Sequence, residues 1–184
     1  MSTVARFTLL QYDRMVASGA LAGRPLELIE GEIREMGPIG PLHEELVDRL
    51  VEWSHQVLPP SAVRLRVQQS IGLPGLESAP QPDLAWVVPR NYSRHRPTAA
   101  DVFLLIEVGD TSLDFDVGEK AALYATADVC EYWVVHAAAR KIEVFRKPVD
   151  GQYRDRALFA GDQQLRPTAF PEAILVPEIL WSGA

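Results

Sequence analysis

Two stretches of the chain put ionisable residues where apolar ones would be expected. "APQPDLAWVV" sets Asp83 between a proline and an apolar run, and "VFLLIEVGDTSLDFDVGEKAALY" sets Glu107 within an apolar run, with Lys120 in the segment that follows. A carboxylate in so apolar a strand is costly unless paired, so Glu107 requires either a metal ion or a salt bridge, for which Lys120 is available. Two carboxylates at close range repel each other, and a divalent cation between them relieves the repulsion. Carboxylate oxygens with a backbone carbonyl and waters suit Mg²⁺ or Mn²⁺. Such an ion acidifies a bound water and neutralises phosphate charge, while a lysine orients or deprotonates the nucleophile and stabilises developing negative charge. Phosphodiester hydrolysis is the reaction this chemistry suits. Each residue also has a plainer reading. Asp83 could cap a loop at a strand start, Glu107 and Lys120 could form a purely structural ion pair, and Lys120 could be a solvated helix lysine paired with Asp116 four residues earlier.

The elements around these residues determine whether they meet. "DLAWVV" and "VFLLIEV" are apolar on both faces, as central strands are, and "VRLRVQQSIGL" alternates Val63, Leu65 and Val67 with Arg64, Arg66 and Gln68, as a half-exposed strand does. If the strands of Asp83 and Glu107 are antiparallel neighbours, the start of one lies beside the end of the other and the carboxylates converge at one rim. Asp114 or Asp116 can cap a helix running to about Asp128. Helical side chains slant toward their own amino terminus, so Lys120 would lean back to that rim. Upstream, Thr8 and Gln11 have capping-box spacing, Phe7 and Tyr12 staple spacing, and Gly19 marks the helix end. "LELIEGEIREM" reads as a hairpin turning at Glu30-Gly31. Leu42, Leu46, Leu50, Trp53 and Val57 then follow helical spacing up to Pro59-Pro60. Downstream, "EYWVV" and "KIEVFR" read as strands around a turn near Ala138, and the proline-containing tail as short strand or loop pieces.

Bulk properties narrow the field. With 184 residues, 47% hydrophobic and 23% charged, the chain suits one domain spanning 1–184 with a sizeable core. A net charge of −7 argues against general nucleic-acid coating, although metal-binding carboxylates need only local basic contacts. The lone cysteine, Cys130, reads as a packed apolar side chain in a reducing compartment. The longest apolar run, Val102 to Ile106, is too short to span a bilayer, and no signal pattern opens the chain, so a cytoplasmic location is expected.

Taken in order, Pro82-Asp83, "IEV" at Ile106 to Val108, "DVGEKAALY" at Asp116 to Tyr124 and "EYWVV" at Glu131 to Val135 resemble the Uma-type restriction endonuclease family, a branch of the PD-(D/E)XK nuclease superfamily. The upstream "ELIEGEI" and "GPLHEEL" resemble it too, so the likeness runs from about Phe7 to Leu180. The resemblance implies an α/β (α+β) fold with a restriction-endonuclease-like αβββαβ core and a mixed central sheet. It divides the chain into an N-terminal helix and hairpin (1–36), a nuclease core (40–146) and a C-terminal extension (147–184). It assigns Asp83 and Glu107 to metal binding. The superfamily's lysine commonly stands two residues after the acid, where this chain has Gly109, and the branch moves that role to Lys120. The family commonly has a histidine at the position of His43 and an aspartate where this chain has His136, and an acidic residue on the first core helix, here Glu44, can assist the metal.

Further candidates come from the residues themselves. Glu30 in the hairpin could border the cleft or be a charged turn residue. Tyr124, one turn beyond Lys120, could join the site or pack beneath the lysine. Arg90, Arg94 and Arg96 crowd one loop with Tyr92 and could contact phosphates. His55, His95 and His136 lack ligand spacing. The leading expectation is a Mg²⁺- or Mn²⁺-dependent endonuclease acting on DNA. The alternatives are a non-catalytic member that binds nucleic acid or protein, and a hydrolase of another phosphate ester with a closed small-molecule pocket. Dimerisation stays open, since "FPEAILVPEILW" could form an interface or close the core.

Overall fold

A computed structural model of the chain describes residues 3–182. Thr8 opens α1 (Leu9–Ala17) with a complete capping box, its hydroxyl accepting from the Gln11 N–H while the Gln11 side chain accepts from the Thr8 N–H. β1 (Leu26–Ile29) and β2 (Glu32–Glu35) form an antiparallel hairpin. Its turn residues Glu30 and Gly31 have φ of 47° and 80°, the left-handed pair that a two-residue turn of this hand requires.

After α2 (Pro41–Val57) come β3 (Arg64–Val67), β4 (Leu84–Val87) and β5 (Val102–Gly109). A helical segment, α3, then opens at Leu113–Phe115, widens into a π-helical turn at Asp116–Lys120 and finishes as Ala121–Thr126. β6 (Glu131–His136), β7 (Lys141–Val149) and β8 (Gln152–Ala160) complete a six-stranded sheet in the order β3-β4-β5-β6-β7-β8. β5 and β6 run parallel and the other neighbours antiparallel. A parallel pair needs a crossover, which α3 provides.

Alternate strand residues face opposite cores. Leu84, Trp86, Leu104, Ile106 and Trp133 pack beneath α2 with Leu46, Leu50 and Trp53. Ala85, Val87, Leu105, Tyr132 and Val134 face α3 and the hairpin, meeting Leu123, Tyr124 and Ile29. Three indoles anchor the α2 side, with Trp53 stacked on Trp86 at 5.0 Å and on Trp133 at 5.9 Å between centroids. Each indole N–H reaches an acceptor: the Ile174 carbonyl, the Ser54 hydroxyl and the Glu131 carboxylate respectively. No helix among the described residues is long and apolar enough to cross a membrane.

Some expectations are corrected. Leu42 lies exposed on the first turn of α2, and Val47 takes a buried place that the spacing did not mark. α3 begins after Ser112 and ends at Thr126, and neither Asp114 nor Asp116 caps it. Cys130 is exposed, because Val129 beside it fills the core position. The segment from residue 147 adds to the sheet. β7 runs on to Val149, Asp150-Gly151 turns with positive φ at both residues, and β8 pairs along the whole of β7. The alternation in β8 was overlooked because its inward residues are only half buried at the sheet edge. The segment near the carboxyl end closes the core, with Leu175, Leu180 and Trp181 buried against the α2 side.

The hairpin turn is tightly held. A Cβ at Gly31 would lie 2.9 Å from Arg6 Cβ and 3.0 Å from the Phe7 carbonyl oxygen, in addition to the strain of positive φ. Gly31→Ala is expected to lower stability by about 1–3 kcal/mol, read as a lower urea midpoint at unchanged slope. An unchanged midpoint would contradict this close approach.

Candidate active site

The register of β4 and β5 pairs Leu84 with Ile106, so the next step outward sets Asp83 opposite Glu107. The two residues are cross-linked through each other's strand. Glu107 Oε2 accepts from the Asp83 N–H at 3.2 Å, and Asp83 Oδ2 accepts from the Val108 N–H at 2.8 Å. Side-chain carboxylates thus satisfy backbone donors that lie just past the last rung of the β4–β5 ladder.

Lys120 reaches this rim as its slant requires. Its ammonium donates to Glu107 Oε1 at 2.9 Å, and the Tyr124 hydroxyl donates to the same oxygen at 3.1 Å. All three side chains are buried. Gly109 explains why the lysine comes from the helix: a Cβ there would lie 2.8 Å from Leu113 Cδ1, so α3 closes directly on β5 and leaves that position no room. From the other side of the sheet, His43 at the start of α2 places Nε2 3.0 Å from Asp83 Oδ2, and its buried Nδ1 has no hydrogen-bond partner. Tyr124 and His43 are therefore brought together with Asp83, Glu107 and Lys120.

Other candidates do not join. Glu44 is exposed, turned away from the rim that His43 faces. Glu30 sits exposed in the hairpin turn. Arg90, Arg94 and Arg96 belong to the loop that leaves β4 at the end opposite Asp83. Arg90 pairs with Asp101 at 3.0 Å, Arg96 pairs with Asp13, and Arg94 is exposed.

Three contributors were missed. Glu27 of β1 is buried, with Oε2 3.6 Å from Lys120 Nζ and accepting from the Gln81 N–H at 3.2 Å. The hairpin thus delivers Glu27 to the site in place of Glu30. Asp116 is buried inside the π-helical turn and accepts from the Ser112 hydroxyl at 2.6 Å. A widened helical turn of this kind is frequent at functional sites, and here it carries both Asp116 and Lys120. Gln68 donates to Asp83 Oδ1 at 3.3 Å from a backbone with φ of 48°. Glu27 shares a strand with buried Leu26, Leu28 and Ile29, and a buried carboxylate in that run was the available signal. Asp116 read as a surface helix partner and gave none.

Four buried carboxylates, Glu27, Asp83, Glu107 and Asp116, therefore surround one lysine and one histidine. Burial pushes Glu107 well above the usual carboxylate range; Lys120 pulls it down while Asp83 and Asp116 push it further up. Burial also drives Asp116 up to about 6. Asp83 goes the other way, because the His43 contact, the Val108 N–H and Gln68 outweigh burial and lower it. His43 is raised, since Asp83, with Asp116 and Asp110 behind it, outweighs the cost of burial. Burial alone would lower Lys120, but Glu107, Glu27 and Asp116 raise it, so the ammonium stays charged. In this arrangement the Lys120 ammonium donates to Glu107 and orients it.

The donor set consists of hard carboxylate oxygens with more negative than positive groups, which fits Mg²⁺ or Mn²⁺. Asp83 and Glu107 supply adjacent oxygens at the rim. No set of three or more His, Cys, Asp or Glu side chains among the described residues is arranged to hold an ion unaided, so water and backbone oxygens would complete the shell. Two cavities, of about 620 and 400 Å³, are lined by none of Asp83, Glu107 or Lys120, which gives no support to a closed small-molecule pocket at the site.

A family model described as "Putative restriction endonuclease" matches residues 10–177. No curated protein matches the chain. A crystal structure from Anabaena variabilis ATCC 29413, described as "a putative nuclease belonging to DUF820", superposes with a TM-score of 0.75 at 16% identity, covering 96% of this chain and 98% of that one. That likeness shows a shared fold.

The raised Asp116 pKa makes a stability prediction. An acid whose folded value lies near 6 and whose unfolded value lies near 3.8 binds more protons when folded across that window, so stability falls as pH rises from about 4 to 6. Asp116→Asn in chelator is expected to flatten that fall and gain about 3 kcal/mol at pH 7, as a shift of about two pKa units implies. Urea titrations at several pH values test this, and equal pH dependence in both proteins would refute it.

Proposed function

The chain belongs to the Uma2 family, described as "Putative restriction endonuclease", and we propose that it is a divalent-metal-dependent endonuclease that hydrolyses DNA phosphodiester bonds. The observation that carries this reading is the excess of buried carboxylates over cations at the rim where Asp83 and Glu107 meet. An uncompensated cluster of this kind is costly by itself and is relieved by a cation.

Asp83 and Glu107 would hold the ion. When bound, it would supply an acidified water and neutralise phosphate charge. The chain's own groups do the rest. Lys120 stays protonated and offers its ammonium to charge developing on the phosphate oxygens. Tyr124 stays a neutral phenol and, with Lys120, fixes Glu107 Oε1, leaving Oε2 toward Asp83. His43 keeps Asp83 ionised, which a metal ligand requires.

Cleavage of circular single- and double-stranded DNA with Mg²⁺ or Mn²⁺ tests the proposal, with Asp83→Asn and Glu107→Gln chosen as near-isosteric variants. Both are expected to lose roughly a hundredfold or more of activity. Mn²⁺ is expected to raise the unfolding temperature of the wild type but not of Asp83→Asn. No cutting by the wild type in either metal, together with no thermal shift, would favour a non-catalytic member of the fold that binds nucleic acid or protein.

A further inference from the structure

Asp83 Oδ1 accepts from Gln68, the residue just past the end of the edge strand β3. The Gln68 N–H also donates to the Asp83 carbonyl at 3.0 Å, so the strained residue clamps β3 to the site by both backbone and side chain. Back along β3, Arg66 lies opposite Ala85 and Arg64 opposite Val87. Ala85 and Val87 face the α3 side of the sheet, as do Glu107 and Tyr124, so the two arginines share that face. Alternate strand residues are about 6.7 Å apart. Arg64 and Arg66 are therefore spaced along β3 toward Gln68, whose amide meets the Asp83 carboxylate.

These arginines differ from their neighbours. Arg90 and Arg96 are occupied by Asp101 and Asp13, but neither Arg64 nor Arg66 forms an ion pair among the described residues. Arg64 reaches only the Arg90 carbonyl, at 3.0 Å, and Arg66 only the Ser70 carbonyl, at 3.4 Å. Arg66 Nε is buried with no hydrogen-bond partner among the described residues. The guanidinium lies 5.7 Å from the Tyr92 ring centroid. Burial lowers the pKa of Arg66, and the charges of Arg64 and Arg96 lower it further. A half-buried cation beside like charges and short of acceptors is a costly arrangement in a chain whose net charge is −7. A phosphate relieves it, offering several acceptor oxygens to a planar fork of donors.

We propose that Arg64, Arg66 and Gln68 form the track on which one polynucleotide strand lies, with phosphates on the two guanidinium groups and Gln68 bringing the scissile phosphate to Asp83. The track rests on the nuclease reading for its direction, but its binding role is measurable without cleavage.

Fluorescence anisotropy of a short labelled single-stranded oligonucleotide in chelator, across a salt series, provides the test. Wild type is compared with Arg64→Gln, the Arg64→Gln/Arg66→Gln double variant and Arg154→Gln on β8 as a control. Arg64 is exposed, so its variant is expected to fold even if the double variant does not. Each track arginine removed is expected to weaken binding about tenfold at low salt and to flatten the logarithmic salt slope by about 0.7. Arg154→Gln should do neither. Unchanged affinity and slope in Arg64→Gln and the double variant would overturn the track even if the wild type cleaves DNA. Weakened binding in a protein that cuts nothing in either metal would support the track while removing the nuclease reading. No binding by the wild type would overturn the track and leave the nuclease reading to the cleavage assay.

Discussion

The structure depends on keeping an ammonium group charged inside the protein. Lys120 is buried, and a buried lysine ordinarily loses its proton unless carboxylates surround it. Glu107 and Glu27 approach it directly, with Asp116 close enough to favour the charged form. Each of the three comes from a different element: β5, the hairpin and the π-helical turn of α3. The requirement of one cation therefore fixes the mutual placement of these elements. The N-terminal hairpin becomes part of the site instead of an appendage.

The same requirement explains two local oddities. Gly109 lets α3 start immediately above the end of β5, which brings Lys120 within reach of Glu107 without a long connection. The π-helical turn keeps Asp116 and Lys120 buried together over Tyr132, whose hydroxyl donates to the Asp116 carbonyl at 3.1 Å. A helix that lay further from the sheet would leave Glu107 a buried carboxylate without its cation, which costs more than the pair contributes.

Much of this was legible in the sequence because it rests on short-range patterns. The strands of Asp83 and Glu107 announce themselves by apolar residues on both faces, and antiparallel adjacency then places the two carboxylates opposite each other. The slant of helical side chains carries Lys120 to them. The capping box at Thr8 and the turn at Glu30-Gly31 are likewise local chemistry. What escaped depends on the packing of distant segments. Glu27 and Glu30 lie on one hairpin, and only docking against residues 79–81 decides that Glu27 faces inward. Asp116 reads as an ordinary helix-surface partner until the helix is known to widen and sink. β8 escaped for another reason: an edge strand with one half-buried face has weak alternation, although Asp150-Gly151 is a recognisable turn pair.

Gln68 joins the buried cluster to the surface. An ordinary residue with φ near 48° sits in a conformation that favours glycine or asparagine, and nothing in the fold compels β3 to end that way. The strained turn does two things: it ties the edge strand to the Asp83 carbonyl and turns an amide onto the Asp83 carboxylate. Both contacts concern the residue whose pKa is lowered while those of Glu107 and Asp116 are raised. Donors from α2, β5 and the residue just past β3 converge on Asp83. If strain were merely tolerated there, the amide would have no reason to face a carboxylate already served by His43 and Val108. Its geometry makes better sense as that of a group holding Asp83 ready for a ligand that approaches along β3.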